Sequence, residues 1–177
     1  MLKRIHCFCR DRDGLAAVEF ALILPVMLSM FLGIAELDSA LACRSDVVSM
    51  ASTDSDLVAQ ESQVTNADMS NVFSALNEML YPYPTSAAKI VVTSIIDNGS
   101  GDGKVAWSDA QNGTARSVGS PMTVPAGLLA SGGSVILTEI TYTYSSATSK
   151  YITGPVTMTN SFYAKPRRVA QIARVSS

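Results

Sequence analysis

The sequence predicts an α+β protein. A long N-terminal helix able to cross a membrane continues as an amphipathic helix, a second short helix follows, and an antiparallel β-sheet completes the chain. Three observations predict this order. From Gly14 to Ala35 the chain is apolar except for Glu19, interrupted only by serine, glycine and Pro25. Apolar residues then recur at helical spacing as far as Leu80. From Ala88 onward, β-branched runs alternate with glycine- and proline-containing turns.

Composition sets the outer limits. The chain has 177 residues and a net charge of −2, with 16% charged and 7% aromatic residues. That length holds one ordinary domain plus an anchor. A nearly balanced charge gives no reason to expect a polyanion partner, so nucleic acid is not expected. The abundance of Ser, Thr and β-branched residues fits a folded, partly β domain outside the cytoplasm.

The apolar run is the first element. It exceeds the apolar core of a cleaved secretory signal and suits a membrane span, placed at 15–36. Ala40-Leu41-Ala42-Cys43 loosely resembles a lipoprotein cleavage site, but Glu36 and Asp38 separate Cys43 from the apolar core. Lys3, Arg4, Arg10 and Arg12 precede the run, whereas Arg44 alone follows closely. The positive-inside rule then keeps residues 1–14 cytoplasmic and exports 37–177. Pro25 deprives the Ala21 carbonyl of its helical donor, a loss that membrane helices tolerate. It reads either as a plain kink or as a device for adapting while the anchor leaves the bilayer.

Glu19 is the anomaly. An ionised side chain at the centre of a membrane helix costs about 2.5–3.5 kcal/mol on insertion scales. Glu19 lies about 7 Å along the helix from Gly14, still within the apolar slab. It is either neutral or paired. Cleavage after Gly14 would create a new α-amino group at Leu15, and that amine on one subunit could neutralise the Glu19 of its neighbour.

Beyond the anchor, Leu37, Leu41, Val48, Ala51 and Val58 form the expected apolar stripe, with Arg44, Asp46, Asp54 and Asp56 filling the polar remainder. A second helix is expected from about Ala67 to Leu80, capped by Asn66. Its apolar face would be Met69, Val72, Phe73, Leu76, Met79 and Leu80, and the YPYP segment at 81–84 would stop it. "AKIVVTSII" (88–96) and "KVAWS" (104–108) are expected as a hairpin around the turn 97–103. "AGLLA" at 126–130 reads as a single helical turn. Residues 134–144 are the strongest later strand, and 154–164 should pair with it.

The stretch "DGLAAVEFALILPVMLSMFLGIAEL", Asp13 to Leu37, resembles the processing region of TadE/TadG-like minor pilins, or pseudopilins, of the tight-adherence (Flp) pilus system. Members typically carry glycine, then "xAVEFALxxP", then large aliphatics ending in "GIxEL". "VAW" before an "NG" turn, "VPAGLL", "ITYTY" and "AKPR" follow in the order such an exported domain would have. The resemblance implies a pilin-like fold and cleavage by a prepilin peptidase after Gly14, making Leu15 the first mature residue. Glu19 would be the position-five carboxylate that sets assembly register, and Phe20 its aromatic companion. It also implies other pilins of the system, the assembly machinery and the membrane as partners.

Other chemistry finds little support. "DNGSGDG" suggests calcium, but an EF-type loop starting at Asp97 would have Gly99 and Gly101 at its third and fifth positions and Ser108 at its twelfth. A plain hairpin turn is the simpler reading, and no metal is expected. "NGS" at Asn98 and "NGT" at Asn112 have sequon form, yet Asn-Gly is also a common turn pair. The single histidine, His6, falls in the leader, which leaves no Ser-His-Asp triad for the exported part. Cys7 and Cys9 would stay in the reducing cytoplasm, and Cys43 would pack as a small apolar residue, with a disulfide between subunits as the minor alternative. Lys165, Arg167 and Arg168 read as a solvated sheet edge that discourages aggregation, with contact to a partner's acidic surface as the alternative. No enzyme, cofactor or small-molecule substrate is expected. The sequence reads as a structural and assembly subunit supporting pilus biogenesis, surface adhesion or a secretion-type filament. The rival is an uncleaved bitopic protein whose periplasmic domain binds a ligand or envelope component.

Overall fold

The computed structural model describes residues 13–99, 102–146, 148–152 and 154–176. The expected leader, with His6, Cys7 and Cys9, falls outside the described residues except for Asp13 and Gly14.

Helix α1 (Asp13–Ala59) is 47 residues long and unbroken through Pro25, a rod of about 70 Å. It is exposed from Gly14 to Leu32 and begins to bury side chains at Glu36. Beyond that point one face is buried, formed by Cys43, Val47, Met50, Ala51, Asp54 and Val58, and it packs on the two last strands of the sheet. Ala51 and Val58 of the expected stripe are therefore inside. Leu37, Leu41 and Val48 are not, with 60%, 55% and 46% of their surface exposed. The buried face is set one residue along, which is about 100° around a helix. The residues it brings inward include the small side chains of Ala40, Cys43 and Ala51, which let the helix approach the sheet closely. Asp54, expected on the polar face, is wholly buried.

The short strand β1 (Gln63–Val64) leads into helix α2 (Asn66–Met79). Its N-cap is Thr65 rather than Asn66. The Asp68 N–H donates to Thr65 Oγ1 at 3.2 Å, and the Thr65 N–H donates to Asp68 Oδ2 at 2.9 Å. This reciprocal pair needs an acceptor three residues after the cap, which Thr65 has in Asp68 and Asn66, followed by Met69, lacks. Met69, Leu76 and Leu80 are buried on the predicted face, with Val72, Phe73 and Met79 partly so.

A 3₁₀ turn (Thr85–Ala87) precedes strands β2 (Ala88–Asp97), β3 (Gly103–Gln111), β4 (Pro121–Met122) and β5 (Ser134–Tyr144). Helix α3 (Ser149–Ile152) and strands β6 (Val156–Ala164) and β7 (Ala173–Arg174) follow. Five strands form one antiparallel sheet in the order β4-β3-β2-β5-β6. The hairpin and the pairing of β5 with β6 match expectation, although β3 runs three residues further than 108. On the helix side, Ile90 lies opposite Ile140 and Ala88 opposite Tyr142, and these join the core of α1 and α2. The opposite face carries Ile95, Val135 and Leu137, covered by Met122, Val124, Leu129 and Tyr163. Burial on both faces explains why β2 and β5 read as nearly continuous apolar runs.

Three local readings change. "AGLLA" is a turn, not a helix: Gly127 has φ 84° and the Leu128 N–H donates to the Pro125 carbonyl at 3.2 Å. Asp97 works as a loop tie, accepting from the Gly99 and Gly132 N–H groups at 3.1 and 3.0 Å. The basic segment after β6 is strapped to the end of α1. The Arg167 N–H donates to the Ala59 carbonyl at 2.9 Å, and the Arg167 guanidinium pairs with Asp56.

The C-terminal return was not predicted. β7 pairs in parallel with β1, and the indole N–H of buried Trp107 donates to the Ile172 carbonyl at 2.8 Å. Arg174 pairs with Asp109 at 2.8 Å and donates to Asn66 Oδ1 at 2.7 Å. This closes the domain by joining the start of α2 to β3.

Candidate membrane anchor and assembly face

The residues predicted to act in processing and assembly all lie on the bare end of α1. Leu15 and Glu19 are one helical turn apart and so share a side, with Phe20 about 100° further round. Leu15 and Phe20 are about three-fifths exposed, and Glu19 is exposed as well. Glu19 makes no hydrogen bond or ion pair among the described residues. Its own fold therefore does nothing to offset its charge in an apolar setting.

Gly14 is helical, and a side chain added there would meet nothing within 4 Å. Among the described residues, neither backbone conformation nor packing calls for glycine at this position. Pro25 sits inside the helix with Ser29 close by, whose hydroxyl donates to the Val26 carbonyl at 2.8 Å. From Gly14 onward α1 is long and apolar enough to cross a membrane, and its most apolar window buries nothing against the rest of the chain.

The rest of the chain grips α1 where the bare part ends. The carboxylate of Glu36 accepts from the Ser146 hydroxyl at 2.7 Å on both oxygens and from the Thr148 hydroxyl. The Tyr83 phenol donates to the Ser39 carbonyl at 2.9 Å and its ring meets Tyr144 edge-on. Two elements far apart in sequence thus hold the helix over a single turn.

Further along, α1 and the edge strand β6 enclose an open groove of about 430 Å³, walled by Leu37, Leu41, Arg44 and Val48 on one side and Val156 to Asn160 on the other. The apolar residues that miss the core line this groove, so the exposed strip of the anchor continues onto the domain.

Two buried groups complete the spine. The Cys43 thiol is wholly buried and pushed up to about 11 by burial and by Asp46, which fits the expected packing role. Asp54 is buried opposite β5, where the Thr138 hydroxyl donates to its Oδ2.

A family model described as TadE-like protein matches residues 14–53. Helix α1 carries a TadE-like domain. The match opens at Gly14 and closes one residue before Asp54, so it spans the anchor and most of the packed part of α1 and none of the sheet. No curated protein and no solved structure matches the chain. The match covers 40 of the 177 residues, all of them in α1, and likens this helix to TadE-like proteins.

Sequence reasoning assigned no role to Glu36 or Asp54. Both fall at helical spacing from Cys43, Val47 and Met50. An acid on the sheet-facing side of α1 was legible only once that side was known.

Proposed function

We propose that this chain is a minor pilin of the tight-adherence system, built around its TadE-like helix. Residues 1–14 form a cytoplasmic leader, 15–36 span the inner membrane, and 37–177 form the periplasmic domain. A prepilin peptidase cuts after Gly14, and the mature subunit joins or primes a filament used in surface attachment. The observation that carries this reading is the bare apolar half of α1 with an unpaired Glu19 on it.

Burial of Leu, Ile, Met and Val against neighbouring helices would hold subunits together outside lipid. The Leu15 amine of one subunit would meet the Glu19 carboxylate of the next and set axial register. Such a pair contributes orientation more than net stability, because both charges must be desolvated. Gly14 supports the cleavage step: the fold does not need it, while a residue without a side chain lets a protease approach the backbone closely. Pro25 would let the anchor bend as it passes from bilayer to filament.

N-terminal sequencing of the protein extracted from its native membrane tests the reading. The mature chain is expected to begin at Leu15. An intact Met1 in cells that make working pili would refute it and favour an uncleaved bitopic protein. Glu19→Ala should leave cleavage largely intact and abolish assembly; normal piliation in that variant would remove the role given to the carboxylate.

A further inference from the structure

Asp54 lies outside the TadE-like match and plays no part in the anchor. It is nonetheless the point at which α1 meets the middle of the sheet. Its side chain is fully buried, with Oδ2 accepting from the Thr138 hydroxyl and Oδ1 unpartnered among the described residues. Ser94, on the same face of neighbouring β2, has a buried hydroxyl that is also unpartnered.

Among the described residues, no cation is in position to neutralise an ionised Asp54. The helix-facing side chains are Ala88, Ile90, Val92 and Ser94 on β2, and Ile136, Thr138, Ile140, Tyr142 and Tyr144 on β5. On β6 they are Met158, Asn160, Phe162 and Ala164. Tyr142 and Tyr144 are the titratable groups among these, and burial holds both phenols above their usual range, hence neutral. α2 packs Met69 and Leu76, with its C-cap Leu80, into the same core and also carries the neutral, buried amide oxygen of Asn77. Nearby on α1, Asp56 points outward to Arg167. A carboxylate sealed among such neighbours is costly, whereas a neutral carboxyl is tolerated and turns one of its oxygens into a donor.

We propose that Asp54 is a protonation-controlled latch: the neutral carboxyl seats α1 on β5, and ionisation loosens that seat. Burial pushes the group up to about 6, whereas an unfolded chain would titrate it near its ordinary value of about 3.9. Between those two pH values the folded form holds a proton that the unfolded form has lost. Stability therefore falls as pH rises through the window, by about 100-fold in the folding constant, and levels off above it. The seating of the domain on its spine would then respond to mild acid, to which an exported domain is exposed.

The test uses the full chain in detergent micelles, unfolded by urea and followed by the fluorescence of its single tryptophan, Trp107. Between pH 3 and pH 7 the wild type should lose about 100-fold more in folding constant than Asp54→Asn. Equal pH slopes would overturn the proposal. Carbon-13 NMR of aspartate-labelled wild type decides the matter even if the variant fails to fold. A carboxyl titrating near pH 6 is expected, and one assigned to Asp54 that titrates near pH 4 would refute the latch.

Discussion

Val47 and Val48 are the same residue type at adjacent positions on α1, yet the fold treats them oppositely. Val47 is 1% exposed and joins the core with Met50 and Cys43, whereas Val48 is 46% exposed along the groove. Truncating each to alanine removes two methyl groups. At Val47 both groups come out of a packed interior, costing about 1.5–3 kcal/mol once transfer and the residual cavity are combined. That is roughly 10- to 150-fold in the folding constant. At Val48 the change stays within about 0.5 kcal/mol, as is usual for surface positions. Urea unfolding of the full chain in micelles, read from Trp107, measures both. Equal costs, or a larger cost at Val48, would refute the rotational setting of α1 described above.

Other positions test single features of the fold. Thr65→Ala removes the capping box at α2 and should cost about 1 kcal/mol, seen as a lower urea midpoint. Gly103→Ala should cost about 1–3 kcal/mol, because an added Cβ would lie 2.7 Å from Ile95 and collide with the Met122 carbonyl of β4; an unchanged midpoint would contradict the close approach of β3 and β4. Arg167→Ala, which breaks an ion pair with its side chains 62% and 42% exposed, should cost under about 1 kcal/mol, with the difference shrinking in high salt.

Much of this architecture could be read locally. The long apolar helix, the second helix with its apolar face, the β2–β3 hairpin and the pairing of β5 with β6 follow from periodicity and turn chemistry. These signals lie within a few residues of one another and need no knowledge of the rest of the chain. The TadE-like stretch was legible for the same reason, as a dense run from Gly14 to Leu37 confined to one helix. Details of capping are local as well: Thr65, not Asn66, caps α2, because Asp68 stands three residues after it.

Which side of α1 turns inward was a different matter. Two apolar stripes, one through Leu37, Leu41 and Val48 and the other through Cys43, Val47 and Met50, both satisfy helical spacing, and local pattern alone does not separate them. The choice depends on β5 and β6, whose residues come about a hundred positions later and offer a surface that small side chains approach best. The burial of Asp54, the grip of Ser146 and Thr148 on Glu36, and the return of Ile172 to Trp107 have the same origin. The amino-acid order by itself determined which segments are helix and strand and which stretch is apolar enough to cross a membrane, since these depend on near neighbours. Only the tertiary structure decided which faces meet, because that depends on packing between segments far apart in the chain.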